Sequence, residues 1–172
     1  AMIAEHFERS GDQRRAATDY SRAASDGLAR GNYAGALRQV ERGLACQPHG
    51  EVLGQLSSVE SYVLLVLDRY ERMGEVTGVA LQELKAGSLG WCRAIFPAFF
   101  IAINHQDAAR IGELVSLLLS TEPDPEARAT YVESVAIIHI ISAVVVPELL
   151  LRALLSRLAA VVAQAEPANP TI

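Results

Sequence analysis

The sequence has little lysine, cysteine or aromatic residue, and each shortage excludes a class of function. Lys85 is the only lysine among 15 Lys and Arg residues, and it lies outside any Gly-x-x-x-x-Gly-Lys-Ser/Thr loop. The phosphate-binding loop of P-loop ATPases is therefore missing from the sequence. Two cysteines are too few for a disulfide scaffold and are compatible with a reducing cytoplasm, where we expect the protein to reside.

Catalytic motifs are missing as well. The sequence has no His-Arg-Asp or Asp-Phe-Gly triplet of protein kinases, no Gly-x-Ser-x-Gly elbow and no His-Glu-x-x-His pair. Cys46 and His49 have the C-x-x-H spacing of a zinc half-site, but Cys92 stands alone and supplies no second pair. The sequence therefore predicts a chain without enzymatic activity, cofactor or metal, and any activity would lie in domains outside it.

Charge and hydropathy exclude two kinds of partner. The net charge is −5, with a pI near 5.4, which argues against general nucleic-acid binding. Residues 1–10 lack the apolar core of a signal peptide. The most apolar stretch, residues 135–146, is shorter than the roughly 20 residues of a membrane-spanning helix and contains His139 and Ser142. We expect a buried helix there and no membrane partner.

Residues that favour α-helices dominate the composition of the chain. Hydrophobic residues make up 51% of the chain, apolar positions recur three and four apart, and Gly, Pro or Asn interrupt the pattern at intervals. The pattern predicts an all-α domain over residues 1–166 with a frayed tail over 167–172, and short loops predict antiparallel neighbours. About nine helices are predicted: 2–10, 12–30, 32–46, 51–73, 75–86, 88–103, 107–120, 125–146 and 147–166.

The segment from Gly31 to Pro48 has the pattern of a closely packed helix pair. A turn glycine precedes Tyr33, and the small residues Ala36 and Gly43 lie on the helix that follows. Small residues let two helix backbones approach closely, and the proline ends the helix.

This segment resembles the second half of a tetratricopeptide repeat. Similar patterns begin at Gly11 and Gly74, and a weaker one begins near Ala108. The turn glycines are 20 and then 43 residues apart, which differs from a strict array of roughly 34 residues. The resemblance implies helix pairs stacked as a right-handed superhelix, and an ordinary helical bundle is the alternative.

Residues 4–12 and 87–94 also resemble the repeat regions of large bacterial signalling proteins, of the myxobacterial type. Those proteins carry a serine/threonine kinase or AAA-type ATPase domain. The resemblance implies a non-catalytic module for protein–protein interaction, in the regulatory or scaffolding region of such a protein. A partner peptide or helix would bind along the first helices of each pair.

Three hypotheses about sites follow. Basic residues, among them Arg14, form a strip on the second and third predicted helices. The residues predicted to contact a protein or peptide partner are Tyr20, Tyr33, Arg38, Arg42, Tyr62 and Tyr70. The alternative is self-association as a homodimer through the apolar C-terminal helices, at Val135, Ile138, Val145, Leu151 and Leu158. The third hypothesis is a small-molecule site or enzymatic domain, at Cys46 and His49 or at Trp91, Phe96, Phe99 and Phe100.

Overall fold

The structure, a computed structural model, describes residues 2–142 and 148–165. A short 3-10 turn at Pro125–Ala127 precedes the eighth of nine α-helices within these residues. The prediction of an all-α fold with about nine helices is therefore confirmed for the described part of the chain. The helices are α1 (Met2–Arg9), α2 (Gln13–Ala29), α3 (Tyr33–Ala45), α4 (Glu51–Val66), α5 (Met73–Glu83), α6 (Leu89–Asn104), α7 (Ala108–Ser120), α8 (Arg128–Ser142) and α9 (Glu148–Ala165).

Four helices begin where a polar side chain caps the first turn. Asp12 and Asn32 each accept a hydrogen bond from a backbone N–H three residues further on, at 3.1 and 2.9 Å. Ser88 and Asp107 do the same before α6 and α7. Such a bond satisfies a backbone donor that the first helical turn leaves unpaired. The helix starts expected at these residues are correct.

Helix α4 ends earlier than the sequence predicted. The apolar run favoured a helix to about Met73, whereas α4 ends at Val66 and α5 begins at Met73 rather than Glu75. Asp68 has a φ of 56°, and the Arg69 N–H bonds to a carbonyl five residues back at 2.9 Å. A left-handed residue closes a helix in this way. Glycine usually fills that position, so an aspartate gave no stop signal.

The start of α8 also differs from the prediction. The sequence favoured a helix beginning at Pro125, but Pro125–Ala127 forms a 3-10 turn and α8 begins at Arg128. The predicted end of this helix at Val146 and the start of the next at Pro147 lie outside the described residues. So does the predicted tail, 167–172.

The helix starts have a regular spacing that the turn glycines concealed. Helices α2, α4, α6 and α8 begin 38, 38 and 39 residues apart. Gly11 precedes α2 and Gly31 precedes α3. The interval between these glycines therefore separates two consecutive helices, whereas the regular interval separates alternate helices. The regular interval is seen only when alternate helices are compared with each other.

Contacts divide the chain into two compact units, Ala1–Lys85 and Ala86–Ile172. The sequence predicted one domain over 1–166. In the first unit, α2 packs against α1, α3 and α4, and α4 also packs against α3 and α5. A Cβ atom at Gly43 would lie 2.9 Å from the Leu56 side chain, so the close helix approach predicted at this small residue is present.

In the second unit, α6 packs against α7 and α8, and α9 packs against α7 and α8. Trp91 and Phe99 are buried in this core, while Phe96 and Phe100 are half-buried. The Tyr131 hydroxyl, also buried, donates to a backbone carbonyl of α7 at 2.5 Å. Two of the four aromatic residues proposed as a ligand site thus serve packing within the unit.

Candidate functional site

The structure corrects the role predicted for one of the four tyrosines. Tyr20 is 0% exposed and packs in the core between α1 and α2, so its ring cannot contact a partner while α1 is in place. Tyr33 and Tyr62 are half-buried. Tyr70 is exposed and donates a hydrogen bond to Asp68. Periodicity placed Tyr20 on the inner face of α2, but it could not show that a third helix would cover it.

Arg42 is engaged within the chain. Its guanidinium lies 2.6 Å from both Glu5 and Glu8 on α1 and stacks over the Tyr20 ring at 4.7 Å. The Tyr20 hydroxyl donates to Glu8 at 2.5 Å, and together with Arg42 it holds the pKa of Glu8 below its usual value. Arg42 therefore joins α3 to α1, and its guanidinium has ion-pair partners within the chain. Arg38 is exposed.

A groove lies between the first turns of α2 and α4. Its volume is about 670 Å³, and one side is open to solvent. Ligand sites commonly have volumes of about 300–1,000 Å³. Nine residues from α2, the α3–α4 loop and α4 line what we call the α2–α4 groove: Gln13, Arg14, Ala17, Cys46, Gln47, Pro48, His49, Glu51 and Val52.

The α2–α4 groove has an apolar floor and a polar rim. Ala17 and Cys46 are buried and Val52 is half-buried, whereas Arg14 and His49 on the rim are exposed. Arg14 forms no ion pair with any residue that the structure describes. An apolar floor can bury part of a ligand, while unpaired rim groups are available to select its charge.

The chemistry of Cys46 does not favour the nucleophile that the third hypothesis needs. Burial raises the pKa of the Cys46 thiol, so the group stays protonated near neutral pH. The thiol donates to the Arg42 carbonyl at 3.4 Å. A thiolate, and not a thiol, attacks substrates and binds metals. Within residues 2–142 and 148–165, no three His, Cys, Asp or Glu side chains are placed to hold a metal ion.

Burial contradicts the self-association role predicted for two of the five residues. Val135 and Ile138 on α8 are 0% exposed, because their side chains pack inside the second unit. Val145 lies outside the described residues. Leu151 and Leu158 on α9 are half-buried, so part of each side chain is open to a partner.

A row of apolar side chains on α9 extends the predicted surface. Leu155 and Val162, 47% and 41% exposed, join Leu151 and Leu158 at spacings of four, three and four residues. Residues at these spacings share one face of a helix. We call these four residues the α9 row. The heptad spacing was visible in the sequence, but the apolar content of the whole helix concealed which face is inside.

Sequence reasoning missed a buried carboxylate on α4. Glu60 is buried; one of its oxygens lies 3.2 Å from Arg72, and the other has no hydrogen-bond partner among the described residues. Burial raises the pKa of Glu60 despite the nearby guanidinium. The sequence signal for its burial was the position of Glu60 between the apolar residues Val59 and Val63. Glu60 does not line the α2–α4 groove.

No protein-family model, curated protein or solved structure matches the chain. The resemblance to tetratricopeptide repeat regions of signalling proteins therefore stays a prediction. None of the helices in the described ranges combines the length and apolarity needed to cross a bilayer.

Proposed function

We propose that this chain is a non-catalytic module for protein–protein interaction, which binds a peptide or helical segment in the α2–α4 groove. The proposal includes the regulatory or scaffolding role in a bacterial signalling kinase or ATPase that the sequence resemblance implies. It also includes a stack of helix pairs like that of tetratricopeptide repeats.

The spacing of alternate helices and their packing support the stacked arrangement. Helices α2 and α4 begin 38 residues apart, and each packs against α3 as well as against the other. Helix pairs of fixed length whose first helices are neighbours form a repeat stack in which those helices share one surface. A partner segment could then contact both α2 and α4.

The observation that carries the proposal is the α2–α4 groove itself. It is open on one side, its floor is apolar, and Arg14 and His49 stand exposed on its rim. A half-open groove suits a side chain or short segment of a protein partner better than it suits a substrate that must be enclosed from water. The exposed guanidinium of Arg14 favours a segment with an acidic residue.

The test is selection of peptides from a random display library against the intact chain, followed by affinity measurements on two charge-reversal variants. Arg14→Glu should weaken binding about tenfold, because the change converts attraction for an acidic residue into repulsion. Arg38→Glu is the matched control, since Arg38 is also an exposed arginine but lies on α3 outside the groove. Its affinity should stay within about twofold of the original.

Loss of binding in Arg38→Glu with full binding in Arg14→Glu would place the partner surface on α3 instead. Equal affinity of both variants and the original chain would refute the groove as the binding site.

Self-association is the second candidate function, and the α9 row favours it. Four apolar side chains in heptad spacing form the seam by which two helices pack in a coiled coil. Two copies of the chain could join through their α9 rows and so bring attached domains together. A stable contact of this kind buries roughly 1,200–2,000 Å² in total.

Light scattering after a sizing column, over a hundredfold range of concentration, tests this second candidate. We expect a dimer of about 37 kDa, twice the 18.5 kDa chain, and its loss in the double variant Leu155→Glu, Val162→Glu. Leu117→Glu is the control, since Leu117 on α7 is 38% exposed but lies outside the row. A monomer at every concentration would exclude the dimer for this chain.

A further inference from the structure

We propose that α1 is a removable strap over a longer docking groove, and that its displacement admits an acidic amphipathic helix of a protein partner. The inference rests on the proposed function, because it extends the α2–α4 groove and names the kind of segment bound there.

The site beneath α1 and the α2–α4 groove share a floor. Ala17, Cys46 and Val52 line the groove, and the same three residues belong to the core cluster in which Ala4 and Phe7 of α1 are packed. Removing α1 would therefore not open a separate cavity. It would lengthen the existing groove and remove Ala4 and Phe7 from the cluster in which Cys46 is buried, so Cys46 should become more exposed.

The contacts that hold α1 can be exchanged for those of another helix. Arg42 lies 2.6 Å from Glu5 and from Glu8, and all three side chains are 35–39% exposed, so water competes for both ion pairs. These two ion pairs hold α1 together with the packing of Ala4 and Phe7 and the hydrogen bond that Tyr20 donates to Glu8.

The chemistry of α1 defines the partner that could replace it. Ala4 and Phe7 supply the apolar contacts, and Glu5 and Glu8 supply two carboxylates three residues apart that pair with Arg42. A partner helix with the same arrangement meets the same complementary charge. A longer helix would continue into the α2–α4 groove, where the exposed Arg14 offers a second positive charge.

The rate at which a thiol reagent modifies Cys46 in the intact chain, located by peptide mass spectrometry, reports whether the strap is open. Two variants remove the ion pairs between α1 and Arg42. The double variant Glu5→Gln, Glu8→Gln changes the α1 side, and Arg42→Gln changes the α3 side. Each should raise the rate about tenfold, because the open population controls access to the thiol. Arg22→Gln, which breaks an exposed ion pair with Asp19, should leave the rate unchanged. Circular dichroism checks that each variant is folded.

The two variants also separate opening from a direct charge effect on the thiol. Glu8 raises the pKa of Cys46 and Arg42 lowers it, so charge alone would change the rate in opposite directions in the two variants. Opening of the strap raises it in both. Rates that move in opposite directions, or that do not move, would overturn the strap.

A synthetic peptide of residues 2–12 tests the docking site. It should bind the Glu5→Gln, Glu8→Gln variant about tenfold more tightly than the unmodified chain, whose own α1 competes for the site. Binding should be lost in Arg42→Gln, and also with a peptide in which both glutamates are glutamine. Equal binding to the unmodified and strap-opened chains would overturn the docking site.

Failure of the strap is distinguishable from failure of the proposed function. The Cys46 rate is measured without any ligand, so an unchanged rate refutes only the strap. Insensitivity of the selected peptides to Arg14→Glu refutes groove binding, whatever the Cys46 rate shows.

Discussion

Replacing Gly87 with alanine should lower the free energy of unfolding of the second unit by about 3 kcal/mol. Gly87 has a φ of 87°, which strains any residue that carries a Cβ atom. A Cβ atom there would also collide with the carbonyl oxygen of Glu122. That carbonyl belongs to the backbone and cannot rotate away. The loop is anchored besides by the Asp124 N–H, which donates to the Gly87 carbonyl at 2.9 Å.

Gly112→Ala is the matched control for this substitution. Gly112 lies within α7, and a Cβ atom there would meet no heavy atom within 4 Å. Alanine should therefore stabilise the helix by about 1 kcal/mol. Urea unfolding followed by fluorescence of Trp91, the only tryptophan in the chain, reports on this unit. Similar midpoints for the two variants would show that Gly87 is not constrained as described.

Replacing Tyr20 with alanine should lower the free energy of unfolding by about 4 kcal/mol, because it empties a fully buried site. The loss includes the contact of the ring with the Arg42 guanidinium at 4.7 Å and the hydrogen bond to Glu8. The α1 helix should detach in the same variant, since the ring and the hydroxyl of Tyr20 both help to hold it. Urea unfolding followed by circular dichroism measures the stability.

Two companion variants test whether the Tyr20 effect comes from burial. Tyr20→Phe keeps the ring and removes only the hydroxyl, so it should cost about 1 kcal/mol. Tyr33→Ala removes a ring that is only half-buried and should cost about 1–2 kcal/mol. If Tyr20→Ala cost no more than Tyr33→Ala, Tyr20 would not be a core residue and could again be considered for partner contact.

Part of the candidate site was accessible to sequence reasoning. Cys46 and His49 were singled out by their spacing, and Arg14 by its place in a basic strip, and all three line the α2–α4 groove. Their juxtaposition was not predictable, because it requires α2 to pack beside α4. The spacing of 38 residues was also present in the sequence, but turn glycines in unlike positions hid it.

Helix identity and most helix starts in this protein follow from local rules. Capping by Asp12, Asn32 and Ser88 depends on residues three apart, and apolar spacing depends on neighbours within one or two turns. The partners of individual side chains depend instead on how distant segments pack. Arg42 meets Glu5 across 37 residues, and Tyr20 is buried by a helix whose position periodicity does not encode. Local sequence specifies helices and their apolar faces, whereas only the packed chain decides which faces and charges remain open to a partner.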